Sequence, residues 1–173
     1  MNPWHDVFPG TDLKKIRAIV EIPKGSKNKY ELDKETGLIK LDRVLYSSFQ
    51  YPVNYGFIPQ TLETDNDPTD VLIMGEKIDQ EIIVEVLPIG MLFMNDQGKA
   101  DNKILCVALG DPLVNEITDI KQVPKHLLNE LVHFFTHYKD LEGKRVKVKG
   151  WGGPHKAREE ILKALLEYKR KFK

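Results

Sequence analysis

Residues 71–109 read VLIMGEKIDQEIIVEVLPIGMLFMNDQGKADNKILCVAL. Three apolar runs, Val71–Met74, Ile82–Met94 and Ile104–Leu109, are separated by polar stretches that carry Gly75 or Gly98. Short runs rich in Val, Ile and Leu and bounded by turn residues specify strands. Proline cannot donate to a strand ladder and glycine weakens one, so Pro88 and Gly90 predict a bend or bulge in the longest run.

Outward from this stretch the pattern stays extended on the N-terminal side. Ile16, Ala18, Val20 and Ile22 alternate with Arg17, Ile19 and Glu21, a strand ended by Pro23-Lys24-Gly25-Ser26. Lys29–Leu32 and Leu38–Val44 flank Asp33-Lys34-Glu35-Thr36-Gly37 and predict a hairpin with glycine at the turn exit. Tyr51–Gln60, dense in aromatics, Pro and Gly, reads as irregular or edge-like chain. Beyond the central strands, Val146 and Val148 alternate with lysines and give one more short strand.

Two helices follow from the remaining periodicity. Pro124 stands where a first-turn proline is tolerated, and Leu127, Leu128, Leu131, Val132, Phe135 and Tyr138 repeat at helical spacing up to Gly143. From about His155, the residues Ala157, Ile161, Ala164, Leu165, Tyr168 and Phe172 form a second stripe. Many short strands followed by two helices predict an α+β fold, a small antiparallel barrel with two α-helices packed outside it. Nothing in the 173 residues reads as a linker or repeat, so the expectation is one domain over 1–173.

Composition narrows the function. Twenty-six basic and twenty-six acidic residues cancel, which argues against a dedicated non-specific nucleic-acid binder. One cysteine, Cys106, has no partner for an internal disulfide and lies in an apolar strand, where it reads as an inert core thiol in a reducing compartment. No apolar run reaches the ~20 residues a membrane helix needs, and the start MNPWHDVFPG lacks the order of a secretory signal. The expectation is a cytoplasmic protein with no membrane partner. The zero net charge is nevertheless sorted: residues 60–120 hold 3 basic and 13 acidic side chains, residues 144–173 hold 11 basic and 3 acidic.

The acidic middle is bunched at turns, above all in Asp65-Asn66-Asp67-Pro68-Thr69-Asp70. Three carboxylates in six residues repel one another unless cations neutralise them. Pro68 restricts the turn and a strand follows, so the carboxylates can be held in register; oxygen-only donors of this kind suit Mg²⁺ or Mn²⁺. Asp96 and Asp101, in a polar loop between two strands, are placed to converge on the same site. An acidic turn is also the composition of an ordinary solvated loop, and spacing alone does not separate the two. Other sites fail on chemistry. An EF-hand needs glycine where Asp70 stands, helices where strands flank, and no Pro68. His133 and His137 lack both the glutamate of a metalloprotease motif and a third zinc ligand, and no glycine-rich phosphate loop is present.

DNDPTD, together with KYELD at 29–33, DR at 42–43, YPVNYGFIP at 51–59 and HFFTHYKDLEGK at 133–144, closely resembles the soluble family I inorganic pyrophosphatases, from about Ile16 to past Trp151. One departure is Thr69, where the family motif has an aliphatic residue. The resemblance implies a five-stranded, oligonucleotide-binding-like barrel and Mg²⁺-dependent hydrolysis of pyrophosphate by a cytoplasmic oligomer, a homo-hexamer among the short prokaryotic forms, with several ions bound and Mn²⁺ or Zn²⁺ as substitutes. It implies metal ligands at Asp65, Asp70 and Asp101, with Asp70 bridging two ions, further ions held by Asp96 with Asp101, and Glu21 on the same wall. It assigns Asp67 to orienting the attacking water and taking its proton. Lys29, Arg43, Tyr55, Lys103, Tyr138 and Lys139 match phosphate-binding positions, and Glu31 matches another polar pocket residue. Two rival classes remain at this point. One is a barrel gripping single-stranded nucleic acid through Tyr51, Tyr55, Phe57 and the basic tail, which the acidic middle opposes. The other is a metal-dependent hydrolase of organic phosphates.

Overall fold

Alternating apolar residues make the first strand, and each later strand finds its neighbour around a ring. The computed structural model describes residues 1–173, with strands β1 (Ile16–Ile22), β2 (Asn28–Leu32), β3 (Ile39–Val44), β4 (Asn54–Phe57), β5 (Asp70–Met74), β6 (Ile83–Asp96), β7 (Lys99–Ala100), β8 (Lys103–Ala108) and β9 (Val146–Gly152). The helices are α1 (Pro3–Asp6), α2 (Lys125–His137) and α3 (Pro154–Phe172). β1 pairs with β4, β4 with β5, β5 with β8, β8 with β6, and β6 returns to β1. Five strands therefore close on themselves, which leaves no open edge in the ring. Four of the five pairings are antiparallel, as expected, and the fifth, β5 with β8, is parallel. β9 and β7 extend the sheet from β6, while β2 and β3 form a separate two-stranded hairpin.

Both faces of the barrel wall are buried. Val71, Ile73, Ile104 and Cys106 pack with Ala157 and Ile161 of α3. Their alternates Leu72, Met74, Leu105 and Val107 pack with Leu131, Phe134 and Phe135 of α2. The α2 stripe includes Phe134, outside the positions singled out from spacing, and the helix begins at Lys125 with Pro124 as its N-cap. Burial pushes the Cys106 thiol far up, so it is a core residue without thiolate chemistry. α1 is a single turn capped by the Asn2 side chain, and its Trp4 donates from Nε1 to the Thr61 carbonyl at 2.8 Å. Elements as short as α1 and β7 leave no periodicity to read.

The segment expected to be irregular or edge-like is instead central. β4 is buried along its whole length and paired on both sides. Its Gly56 explains both the misreading and the packing: a Cβ there would lie 1.9 Å from the carbonyl oxygen of Ile19. Glycine inside a strand marks such a close backbone approach. Bulges complete the ring. Val20 pairs with Gly56 but Ile22 with Tyr55, so Glu21 is the extra residue of β1. Pro88 pairs with Cys106 and Gly90 with Leu105, which places the predicted irregularity of β6 at Ile89.

Gly56→Ala forces the β1 and β4 backbones apart and is expected to cost at least about 3 kcal/mol, read as a lowered midpoint in urea or thermal unfolding. A variant as stable as the parent would contradict the close approach.

Candidate active site

The parallel pairing of β5 with β8 puts the starts of both strands at the same end of the barrel. Val71 pairs with Ile104, so the preceding residues, Asp70 and Lys103, stand side by side. The loop carrying Asp65 and Asp67 enters β5 at this end, and the β6–β7 hairpin brings Asp96 and Asp101 to it. The bulge in β1 turns Glu21 inward, where it is 6 % exposed and accepts from the Leu32 amide at 2.7 Å. Bulges commonly re-aim side chains in this way beside active sites. The β2–β3 hairpin supplies Lys29 and Glu31, and the C-terminal end of α2 supplies Tyr138 and Lys139.

These side chains surround one cavity of about 880 Å³. Twelve of the thirteen residues singled out from sequence line it: Glu21, Lys29, Glu31, Tyr55, Asp65, Asp67, Asp70, Asp96, Asp101, Lys103, Tyr138 and Lys139. Arg43 does not. Its Nη1 donates to Asp42 Oδ2 at 2.5 Å and its Nε lies 2.9 Å from Glu142 Oε1, while its Nη2 is buried without a partner. Carboxylates able to hold the guanidinium outcompete an open cavity when both lie within reach.

Lysines offset part of the acidic charge within the cavity. Lys103, 3 % exposed, donates to Asp70 Oδ2 and to Asp101 Oδ1, both at 2.5 Å. Burial opposes its charge, but Asp70 and Asp101 overcome that and raise its pKa. Burial holds the Asp70 carboxyl above its ordinary range against the pull of Lys103, and burial likewise raises Asp65. Lys139 pairs with Asp96, and Lys29 bonds to Asp42 at 2.9 Å and Glu31 at 3.2 Å. Burial, with the Asp70 charge adding to it, lifts Glu21 to about 8. Burial also lifts both tyrosine hydroxyls, so Tyr55 and Tyr138 keep their protons as neutral donors.

The aspartate loop is held by its own backbone. Asn66 adopts φ +68°, a left-handed conformation that Asn tolerates better than most side chains. The Asp67 amide donates to Asp65 Oδ1 at 3.0 Å and the Glu63 amide to the Asp67 carbonyl at 2.8 Å. Thr69, the departure from the family motif, has a partner here: its hydroxyl donates to Glu63 Oε1 at 2.6 Å and its amide to Thr61 Oγ1 at 2.8 Å. Sequence reasoning passed over Lys34, Lys40 and Lys99, which line the cavity, and Asp42 and Glu142, which hold Arg43. Lys40 was within reach of the hairpin register, because it stands opposite Glu31. Glu142 was not, since it arrives from a short 3-10 turn distant in sequence.

The donor set fits hard divalent cations. Every expected metal ligand on this wall is a carboxylate, and no three carboxylates converge into a closed cage. Mg²⁺ is typically held through one or two carboxylates, with water and substrate oxygens completing its shell. Glu21 gives a test of the wall's electrostatics. Its folded pKa of about 8 exceeds its unfolded value of 4.5, so between these limits the folded chain holds a proton that the unfolded chain has lost. Stability therefore falls as pH rises through that window. In chelator, Glu21→Gln is expected to melt above the parent at the top of the window, with the gap closing toward its acid end. A variant that melts below the parent at the alkaline end would contradict this.

The sequence model of the inorganic pyrophosphatase family matches residues 18–169. A curated inorganic pyrophosphatase from Picrophilus torridus is 47% identical over 172 residues, covering 98% of this chain and 97% of that one. One from Methanosarcina acetivorans is 49% identical over 164 residues, covering 94% and 98%. The crystal structure of inorganic pyrophosphatase from Thermus thermophilus superposes with a TM-score of 0.94 at 39% identity, covering 98% of this chain and 99% of that one. With matches spanning nearly its whole length, and with the barrel and acidic cavity described above, the chain belongs to the inorganic pyrophosphatase family.

Proposed function

We propose that this chain hydrolyses inorganic pyrophosphate to two orthophosphates with Mg²⁺ as its cation, Mn²⁺ or Zn²⁺ substituting. The observation that carries the reading is the meeting of an all-carboxylate wall with Lys29, Lys103 and Lys139 in a single cavity. A compact polyanion needs cations around it, and a water attacking it needs a base.

Asp65, Asp70 and Asp101 would hold the cations that act on water, with Asp70 serving more than one of them, and Asp96 with Asp101, beside Glu21, would hold those that arrive with substrate. Bound divalent cations neutralise the substrate and make water more acidic. Asp67 accepts the proton as the water oxygen bonds to phosphorus, and the bridging P–O bond breaks with its electron pair leaving on the second phosphate. Lys29, Lys103 and Lys139 stabilise that growing charge through donors already in place. Arg43 joins them by releasing Glu142. Tyr55 and Tyr138 donate hydrogen bonds without adding charge, and Glu31 orients Lys29.

One domain over 1–173 accords with a family match over residues 18–169. A cytoplasmic location accords with a lone buried cysteine, and no helix is long and apolar enough to cross a membrane. A homo-hexamer accords with exposed apolar side chains such as Leu113 and Leu141.

Phosphate release from pyrophosphate should require added Mg²⁺ and stop in excess chelator; equal release in chelator would sink the metal-dependent reading. Two variants separate the carboxylate roles. If Asp70 serves two cations, Asp70→Asn removes a charge both need, and Mg²⁺ affinity and rate should collapse together. Asp67→Asn should leave Mg²⁺ affinity nearly unchanged while turnover falls ~10²–10⁴-fold. Equal loss of metal binding in both variants would make Asp67 a ligand.

A further inference from the structure

Lys34, at the turn of the β2–β3 hairpin, lines the cavity. Its Nζ donates to the carbonyl oxygen of Asn66 at 3.0 Å, pairs with Asp67 Oδ1, and lies 5.7 Å from the centroid of the Trp4 ring. The backbone carrying it is tied down as well. Its carbonyl accepts from Asn2 Nδ2 at 3.0 Å, and the turn is closed by the Gly37 amide on the Asp33 carbonyl at 2.7 Å. A third part of the chain reaches the same place, because Lys171 near the end of α3 donates to Asn66 Oδ1 at 2.9 Å. The hairpin and the last helix thus meet on Asn66 and Asp67, and the N-terminal turn contacts Lys34.

Stability does not account for this convergence. The Lys34 and Asp67 side chains are 43% and 50% exposed, and pairs that open to water contribute little to folding. Direction is what the contact supplies. A carboxylate on a loop can rotate between two equivalent oxygens, and a base works only if one of them faces the proton it takes. We infer that Lys34 is a positioning residue for the reaction: it holds Oδ1 of Asp67 and leaves Oδ2 to accept the proton of the attacking water. The inference rests on the reading of Asp67 as the base. It also joins two halves of the site, since the hairpin that carries Lys34 carries Lys29 and Glu31 for the phosphates. Binding of substrate and alignment of the base then depend on one small sheet.

The test is steady-state hydrolysis of pyrophosphate at saturating Mg²⁺ by Lys34→Met and Lys34→Arg, each made in the parent and in Asp67→Asn. Lys34→Met should lower kcat ~10–100-fold, the cost of a misplacement of about an ångström. Its KM should stay within about twofold of the parent, because only a step beyond ground-state binding is affected. Lys34→Arg, which keeps a cation of similar reach, should recover most of the loss. In the Asp67→Asn background, removing Lys34 should cause no further loss, as expected of residues acting through one another. A raised KM with kcat intact would make Lys34 a phosphate ligand and overturn the inference, as would full additivity with Asp67→Asn. An unchanged kcat in Lys34→Met beside a collapsed one in Asp67→Asn would overturn it while leaving the base assignment standing. Parental kcat in Asp67→Asn would remove the base assignment and the inference together.

Discussion

Lys103 is the residue on which the charge balance of the site depends. It is almost fully buried at the start of a core strand and bonds to two aspartates at once. Taking an ammonium out of water costs several kcal/mol unless opposite charge is placed against it. Asp70 and Asp101 supply that charge, and Lys103 in turn lets two carboxylates approach one another. Removing Lys103 leaves two adjacent carboxylates without their counter-charge, whereas removing either aspartate leaves a one-to-one pair. The parallel pairing of β5 with β8 makes the cluster possible, because it starts both strands at one end of the barrel. An antiparallel pair would set Asp70 against the far end of β8.

Around that cluster the fold divides its labour. The closed barrel fixes Glu21, Tyr55, Asp70 and Lys103 on strands, where backbone pairing leaves little freedom. Asp65 and Asp67 lie on a loop and need support, which comes from Thr61 and Asn66 within the loop and from Lys34 and Lys171 outside it. Glu63 belongs to this support: burial lifts its carboxyl to about 7, and the Thr69 hydroxyl bonds to it. Sites set on rigid elements are held more closely than sites on loops, and here the loop has been tied to the hairpin and the last helix.

The legible part of this protein was its alternation and its acidic hexapeptide. β1, β5, β6 and β8 announce themselves by apolar runs, and Pro88 with Gly90 marks the β6 bulge. β4 was misread because Tyr, Pro and Gly around it resemble loop composition, whereas Gly56 is demanded by a backbone contact with Ile19 that only the closed ring creates. Asp96 and Asp101 were legible from their loop between two strands, and the other cavity residues outside DNDPTD were found through resemblance and not through spacing. Arg43 was placed in the cavity on that basis, and in the fold Asp42 and Glu142 draw it aside. Lys34 left no signal at all, since its partners Trp4 and Asp67 are brought to it by tertiary packing. Chemistry concentrated in a short motif survives in one sequence; contacts between distant segments do not.

If lysines and divalent cations share the same carboxylates, Lys103 and Mg²⁺ compete for Asp70 and Asp101. Calorimetric titration of Mg²⁺ into Lys103→Met and into the parent, at alkaline pH and without substrate, tests this directly. Lys103→Met should bind Mg²⁺ more tightly, because the ammonium that neutralises both aspartates is gone. Weaker or unchanged binding would contradict this competition, and would mean that the buried lysine shapes the metal site instead of balancing its charge.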